Sequence, residues 1–255
     1  MVIFFQTVAV AFAMFSAIPM PQFDWNEKNM RCALCAFPAV GAVCALCWLA
    51  LSVLPLPAFL RGALFCLAPV AVTGGIHLDG YADTCDALAS HGTAAQKQEI
   101  LKDPRCGAFA VIRLCAYFVL YLALCVTLTP SPRAVACAGL GFVLSRALSG
   151  WAIASLPLAK DTGLAHTFAT AADRRAVRLS LASLAAALVV AQVAVGGGAG
   201  LAMAAAAGLS LWRYACVAKR QFGGVSGDLA GWFLQKCELW QLAALVFCQL
   251  WEGYP

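Results

Sequence analysis

Charge interrupts this chain so rarely that lipid, not water, has to be most of its solvent. Residues 1–23, 32–60, 62–78, 114–132 and 179–212 contain no Asp, Glu, Lys or Arg. A helix needs roughly 20 apolar residues to cross the hydrocarbon core, and several of these runs reach that length. Helices satisfy their backbone amides within one segment, which hydrocarbon demands. Only 11% of the 255 residues are charged, too few to cover a water-soluble core of this size. The expected fold is therefore all-α: one membrane-embedded domain over 1–255, a polytopic bundle of about seven to eight hydrophobic helices. The first ten residues are apolar from the start, without a basic leader, so the first segment reads as a retained helix.

The periodic segments are expected at 2–19, 32–57, 62–78, 106–128, 134–157, 179–197, 200–218 and 232–250. Proline and glycine mark the turns between them, as in LPLPAFLR, TPSPR and VGGGAG. Threading these segments through a bilayer puts 20–31, 79–105, 158–178 and 219–231 on one side. That side collects Lys28, Arg31, Lys97, Lys102, Arg105, Lys160, Arg174, Arg175, Arg178, Lys219 and Arg220, and the other keeps Arg61 and Arg133. Basic excess marks the cytoplasmic face, so both termini are expected outside the cytoplasm. The net charge of +5 then follows from topology and calls for no nucleic acid. The 13 cysteines include the pairs Cys32/Cys35 and Cys44/Cys47. Both pairs fall in an uncharged run, where cysteine acts as a small apolar side chain rather than a zinc ligand or disulfide partner.

The same threading gathers the unusual polar stretches at the basic face. In GGIHLDGYADTCDAL (74–88), Asp79, Asp83 and Asp86 stand at i, i+4 and i+7, which share one face of a helix. Three neighbouring carboxylates repel unless a cation sits among them, and membrane proximity raises the cost of unpaired charge. Magnesium meets both demands and bridges carboxylates to substrate phosphates. A solvated helix cap and a coupling-ion site are the alternatives. Gly74, Gly75 and Gly80 allow a close backbone or phosphate approach. His77 fits a base, a phosphate hydrogen-bond donor or a satisfied interfacial histidine. Lys102 and Arg105 in KDPRCG can neutralise phosphate oxygens or anchor the membrane boundary. Arg146 interrupts an apolar run and needs a partner or a polar cavity, as does Asp161 nearby; Lys160 can snorkel to the interface. GGVSGD (223–228) offers Gly224 and Gly227 amides to a phosphate and Asp228 as a further acidic arm. It lacks the GK[ST] ending of a Walker loop. Glu238 fits either that site or a packing network.

These motifs resemble the cobalamin synthase family, the adenosylcobinamide-GDP ribazoletransferases. The resemblance is carried by GGIHLDGYADTCDAL (74–88), KDPRCGAFAV (102–111) and FGGVSGDLAGWFLQKCEL (222–239). FSAIPMP (15–21) with Trp25, FPAVGAV (37–43), SRALSGW (145–151) and KDTGLAHTF (160–168) extend it, in order, over nearly the whole chain. Asp79 stands where the family often has glutamate, Tyr81 where a leucine-like residue is usual and Ala87 where glycine is frequent.

The resemblance implies an integral membrane enzyme of bacteria and archaea that requires Mg2+. It joins adenosylcobinamide-GDP to alpha-ribazole or its 5'-phosphate, releases GMP and leaves adenosylcobalamin or its 5'-phosphate. On this reading Asp79, Asp83 and Asp86, with Asp228, hold the metal. Lys102 and Arg105 neutralise the phosphoryl oxygens, and His77 or an aspartate takes the proton from an attacking ribazole 5'-hydroxyl. Gly74, Gly75, Gly224, Gly227, Arg146 and Lys160 contact substrate. The expected setting is multi-pass in the bacterial inner membrane with the site facing the cytoplasm. Self-association, or association with other corrinoid-pathway enzymes, stays open.

Two rival readings meet obstacles. Phosphotransferases for nucleotide-activated lipid alcohols have a different aspartate spacing from DGYADTCD. A coupling-ion transporter fits the glycines but needs sites at the membrane midplane, whereas these motifs gather at one interface.

Overall fold

A computed structural model of the chain describes residues 2–160 and 162–253. Asp161 lies outside the described residues, as does the side chain of Leu164. The chain forms α1 (Val2–Phe15), α2 (Glu27–Met30), α3 (Ala33–Ser52), α4 (Ala58–Thr73), α5 (Ile76–Ala89), α6 (Ala94–Ile100) and α7 (Ala108–Thr127). After these come α8 (Pro132–Ser155), α9 (Leu164–Ala171), α10 (Arg174–Gly196), α11 (Gly198–Val217), a π turn (Ala218–Phe222) and α12 (Gly227–Trp251). Helices α3, α7, α8 and α10, and α11 with its π turn, are long and apolar enough to cross a membrane. Their outer faces carry Leu46, Leu49, Val119, Val190, Leu201, Leu209 and Trp212, all exposed. Such a girdle is costly in water and neutral in lipid.

The expected helix at 62–78 is where sequence and structure part. Helix α4 stops at Thr73, and α5 leaves it at 95°. Gly74 and Gly75, with φ of +64° and +82°, make the corner. Two successive left-handed residues break an α-helix, and glycine adopts that conformation without a Cβ penalty. The polar stretch that follows is therefore a helix in its own right. With the bent pair counted as one span there are up to six apolar crossings. Helix α1, with 14 residues, is shorter than a full crossing. Helix α12, with 25 residues, runs through the bundle with Asp228, Lys236 and Glu238 on it.

Arg146 of α8 pairs with Glu238 of α12 at 2.7 Å, their side chains 1% and 4% exposed. Ser145 Oγ donates to the same Glu238 oxygen at 3.0 Å, and Arg146 Nη1 also donates to Phe142 O. One turn along α12, Gln241 accepts from Gln192 of α10 and donates to Gly141 O. An unpaired ion here would cost several kcal/mol, so the charges occur as a hydrogen-bonded pair. Glu238 belongs to this packing network.

At one end of the bundle the four segments expected on a common side are tied together. Arg31 meets Asp173 at 2.6 Å. Gln98 of α6 donates to Ala159 O and Phe222 O. Val225 N donates to Pro157 O at 2.8 Å, and Ala159 N to Val225 O at 2.9 Å. Gln249 and Thr129 exchange hydrogen bonds near the C-terminal end of α12, so the other turns close the opposite end.

Candidate active site

The acidic residues meet because two helices touch backbone to backbone. A Cβ on Gly80 of α5 would lie 2.7 Å from the carbonyl oxygen of Asp228. A Cβ on Gly231 of α12 would lie 2.8 Å from the carbonyl oxygen of His77. Each glycine makes room for the other helix, so the first turn of α12 rests on the first turns of α5. Asp79, Asp228 and Asp86 all stand close enough to act on the charge of Asp83. Asp79 and Lys160 act on that of Asp228. Asp228 also sits in the first turn of α12, where the helix dipole favours an anion, and Ser226 caps that turn by accepting from Leu229 N.

Three cavities open around these carboxylates. The central one, about 230 Å³, has Asp79, Asp228, His77, Gly80, Gly227 and Gly231 on its wall, with an apolar interior behind them. A second, about 550 Å³, is lined by Gly74, Gly75, Asp79, Asp83, Pro104 and Cys106. A third, about 360 Å³, is lined by Lys102, Lys160, His166, Ser226, Gly227 and Asp228. Asp79 is shared by the first two cavities and Asp228 by the first and third. The carboxylates are thus partitions in one branched groove.

Several residues singled out on the sequence land elsewhere. Arg146 is in the buried pair with Glu238, and its guanidinium reaches none of the three cavities. Gly224 is packed so tightly on the 157–159 segment that a Cβ would lie 2.5 Å from Pro157 O. It therefore seats that segment, while Gly227 faces the groove. Arg105, its side chain 87% exposed, binds Asp103 in a two-pronged ion pair and lines none of the cavities. That guanidinium holds the Asp103 carboxyl down at about 2. Lys102 does line the groove, although it also meets Glu99 at 2.7 Å. The carboxylate of Asp86 lies against Gly107 at the start of α7, a turn beyond the groove.

The structure adds residues that sequence reasoning passed over. Ser149 of α8 and Phe15, Phe37 and Phe168 line the central cavity. All lie inside motifs quoted above, but an isolated serine or phenylalanine in an apolar run carries no signal of its own.

Among the described residues no three His, Cys, Asp or Glu side chains converge into a closed metal cage. The donor set still suits magnesium, which takes one or two carboxylates and fills its octahedron with waters and substrate phosphates. Asp79, Asp83 and Asp228 present hard oxygen donors along an open groove, and Lys102 and Lys160 line the cavity beside Asp228.

No solved structure matches the chain. It is 39% identical over 244 residues to an adenosylcobinamide-GDP ribazoletransferase of Lachnoclostridium phytofermentans, covering 94% of this chain and 93% of that one. Relatives of the same name in Geobacillus kaustophilus and Clostridium perfringens SM101 are 33% and 28% identical, each covering more than nine-tenths of both chains. The model of the cobalamin-5-phosphate synthase family matches residues 7–246. With that match running from α1 to α12 through every element of the groove, the chain belongs to the cobalamin-5-phosphate synthase family.

Proposed function

We propose that the branched groove is where this chain joins adenosylcobinamide-GDP to alpha-ribazole or its 5'-phosphate, releasing GMP and completing the nucleotide loop of cobalamin. The observation that carries this reading is the α5–α12 crossing. It sets Asp79 and Asp228 between cavities that could hold the two substrates, with Lys102 and Lys160 beside Asp228.

A ribazole hydroxyl forms the new P–O bond at the cobinamide-bound phosphorus, and the bridging P–O bond to GMP breaks. The attacking hydroxyl is not the 5'-hydroxyl expected from the sequence. An acceptor that carries a 5'-phosphate, and a product that keeps it, leave that oxygen occupied, so a secondary ribose hydroxyl attacks. Asp79, Asp83 and Asp228 would hold a magnesium ion, which would neutralise charge on the diphosphate and the departing GMP. Lys102 and Lys160 hold the phosphoryl oxygens from the other side of Asp228. The aspartate nearest the acceptor takes its proton as the bond forms.

The basic residues at this end of the bundle support a bacterial inner-membrane setting with the groove open to the cytoplasm. The deciding assay is GMP release by the purified protein in liposomes, with each substrate omitted in turn. Release that needs both substrates and magnesium is the expected result. GMP release without ribazole, or none with both present, would refute the assignment.

A further inference from the structure

Behind Asp79 and Asp228 the central cavity turns apolar and aromatic. Phe15 packs on Phe37 with ring centroids 4.3 Å apart and on Phe168 at 5.2 Å. Leu34, Ile153 and Leu234 complete the wall. Two polar side chains sit in this lining: Ser149, fully buried, and His77, 6% exposed. Among the described residues neither Ser149 Oγ nor His77 Nε2 has a hydrogen-bond partner. Buried polar atoms are ordinarily paired, so two unpaired ones on residues that line this cavity leave hydrogen-bonding capacity that a ligand with a matching polar atom would meet.

The lining selects among the chemical groups that the two substrates bring. A diphosphate needs cations, and the lysines line the neighbouring cavity instead. Guanine carries a carbonyl and amino edge that needs several partners, and this wall would strand most of them. A corrin ring with its fringe of amides exceeds about 230 Å³. An alkyl-substituted benzimidazole is a flat, apolar bicycle with one free ring nitrogen, which accepts a single hydrogen bond. Aromatic side chains in tilted contact suit such a ring.

We propose that the central cavity seats the base of the acceptor nucleoside. Its ring lies among Phe15, Phe37 and Phe168, and its free ring nitrogen accepts a hydrogen bond from Ser149 or His77. The ribose then emerges between Asp79 and Asp228, where its hydroxyl meets the phosphorus. This rests on the reading that the acceptor is ribazole or its phosphate. It gives His77 a part in binding the base rather than in proton transfer. It also makes the cavity the determinant of which lower base the product carries: benzimidazoles enter, and purines leave donors and acceptors unmet.

Initial rates of GMP release with wild-type protein in liposomes test this without any variant. A dimethylbenzimidazole riboside is expected to exceed an adenine riboside by roughly 100-fold in kcat/KM, the scale at which unmet polar groups discriminate. Equal rates for the two overturn the proposal. Ser149→Ala is expected to raise KM for ribazole about fivefold, the loss of one hydrogen bond, while KM for adenosylcobinamide-GDP stays unchanged. Ile153→Phe fills the cavity and is expected to raise the ribazole KM by about tenfold. An unsubstituted benzimidazole riboside, lacking the two methyl groups, should recover most of that loss. A shift in the corrinoid KM instead, or no shift in either, overturns the seat assigned to the base. Failure of the wild type to release GMP with any acceptor refutes the reaction itself, a separate outcome.

Discussion

Replacing Gly80 with alanine tests whether the helix crossing sets the chemistry. The added methyl would sit 2.7 Å from Asp228 O and 2.8 Å from Asp228 Cα, against the 3.4 Å at which ordinary contact begins. Both atoms are backbone, so no side chain can swing aside. Helix α12 has to retreat by about 0.7 Å, and overpacking of this kind costs about 1–3 kcal/mol. Alanine gives back about 1 kcal/mol of helix propensity. Net destabilisation is therefore small, about 0–2 kcal/mol. Activity should suffer more, because displacing a catalytic arm by about 1 Å costs on the order of 100-fold. Gly80→Ala protein in detergent should melt within a few degrees of wild type and lose about 30- to 100-fold in kcat for GMP release. Gly231→Ala, whose methyl meets His77 O at 2.8 Å, should behave alike. Full activity in both variants would refute the claim that the close approach of α5 and α12 fixes the spacing of Asp79 and Asp228.

Asp83→Asn should cut kcat/KM by at least about 100-fold and raise the magnesium needed for half-maximal rate; near-normal activity at ordinary magnesium would remove Asp83 from the ligand set. Chelation with EDTA should stop GMP release, and added magnesium should restore it; unaffected turnover in EDTA would exclude the metal. Lys160→Ala should raise KM for adenosylcobinamide-GDP about tenfold. Arg105→Ala, with its guanidinium already engaged by Asp103, should stay within about twofold, and equal effects of the two substitutions would place Arg105 in the groove after all. Glu238→Gln strands a buried guanidinium and should cost about 3–5 kcal/mol in chemical or thermal unfolding. The double variant Arg146→Met, Glu238→Leu should recover most of that stability, and a loss equal to the single variant's would argue against an uncompensated charge as the cause.

Legibility of this molecule from its sequence was uneven, for a physical reason. Asp79, Asp83, Asp86 and Asp228 stood out because carboxylates are expensive near lipid, so each one in an apolar chain carries information. Lys102 and Arg105 looked equivalent as basic residues beside a membrane helix. The structure separates them, since Lys102 lines the groove and Arg105 is turned to Asp103. Arg146 was suspicious for the right reason, a charge in an apolar run, but its partner is 92 residues away in sequence. Local spacing cannot reveal a pairing of that kind.

The sequence by itself determined the solvent, the helical class, the common side of the polar motifs and the kinship of the chain. Each of these rests on local composition or on residues in fixed order, and lipid makes such patterns compulsory. The tertiary structure alone decided that Gly80 and Gly231 face each other and that Ser149 and His77 share an aromatic cavity. Those facts depend on which side of one helix meets which side of another. Residues far apart in the chain share the resulting contacts, and no periodicity within either helix encodes them.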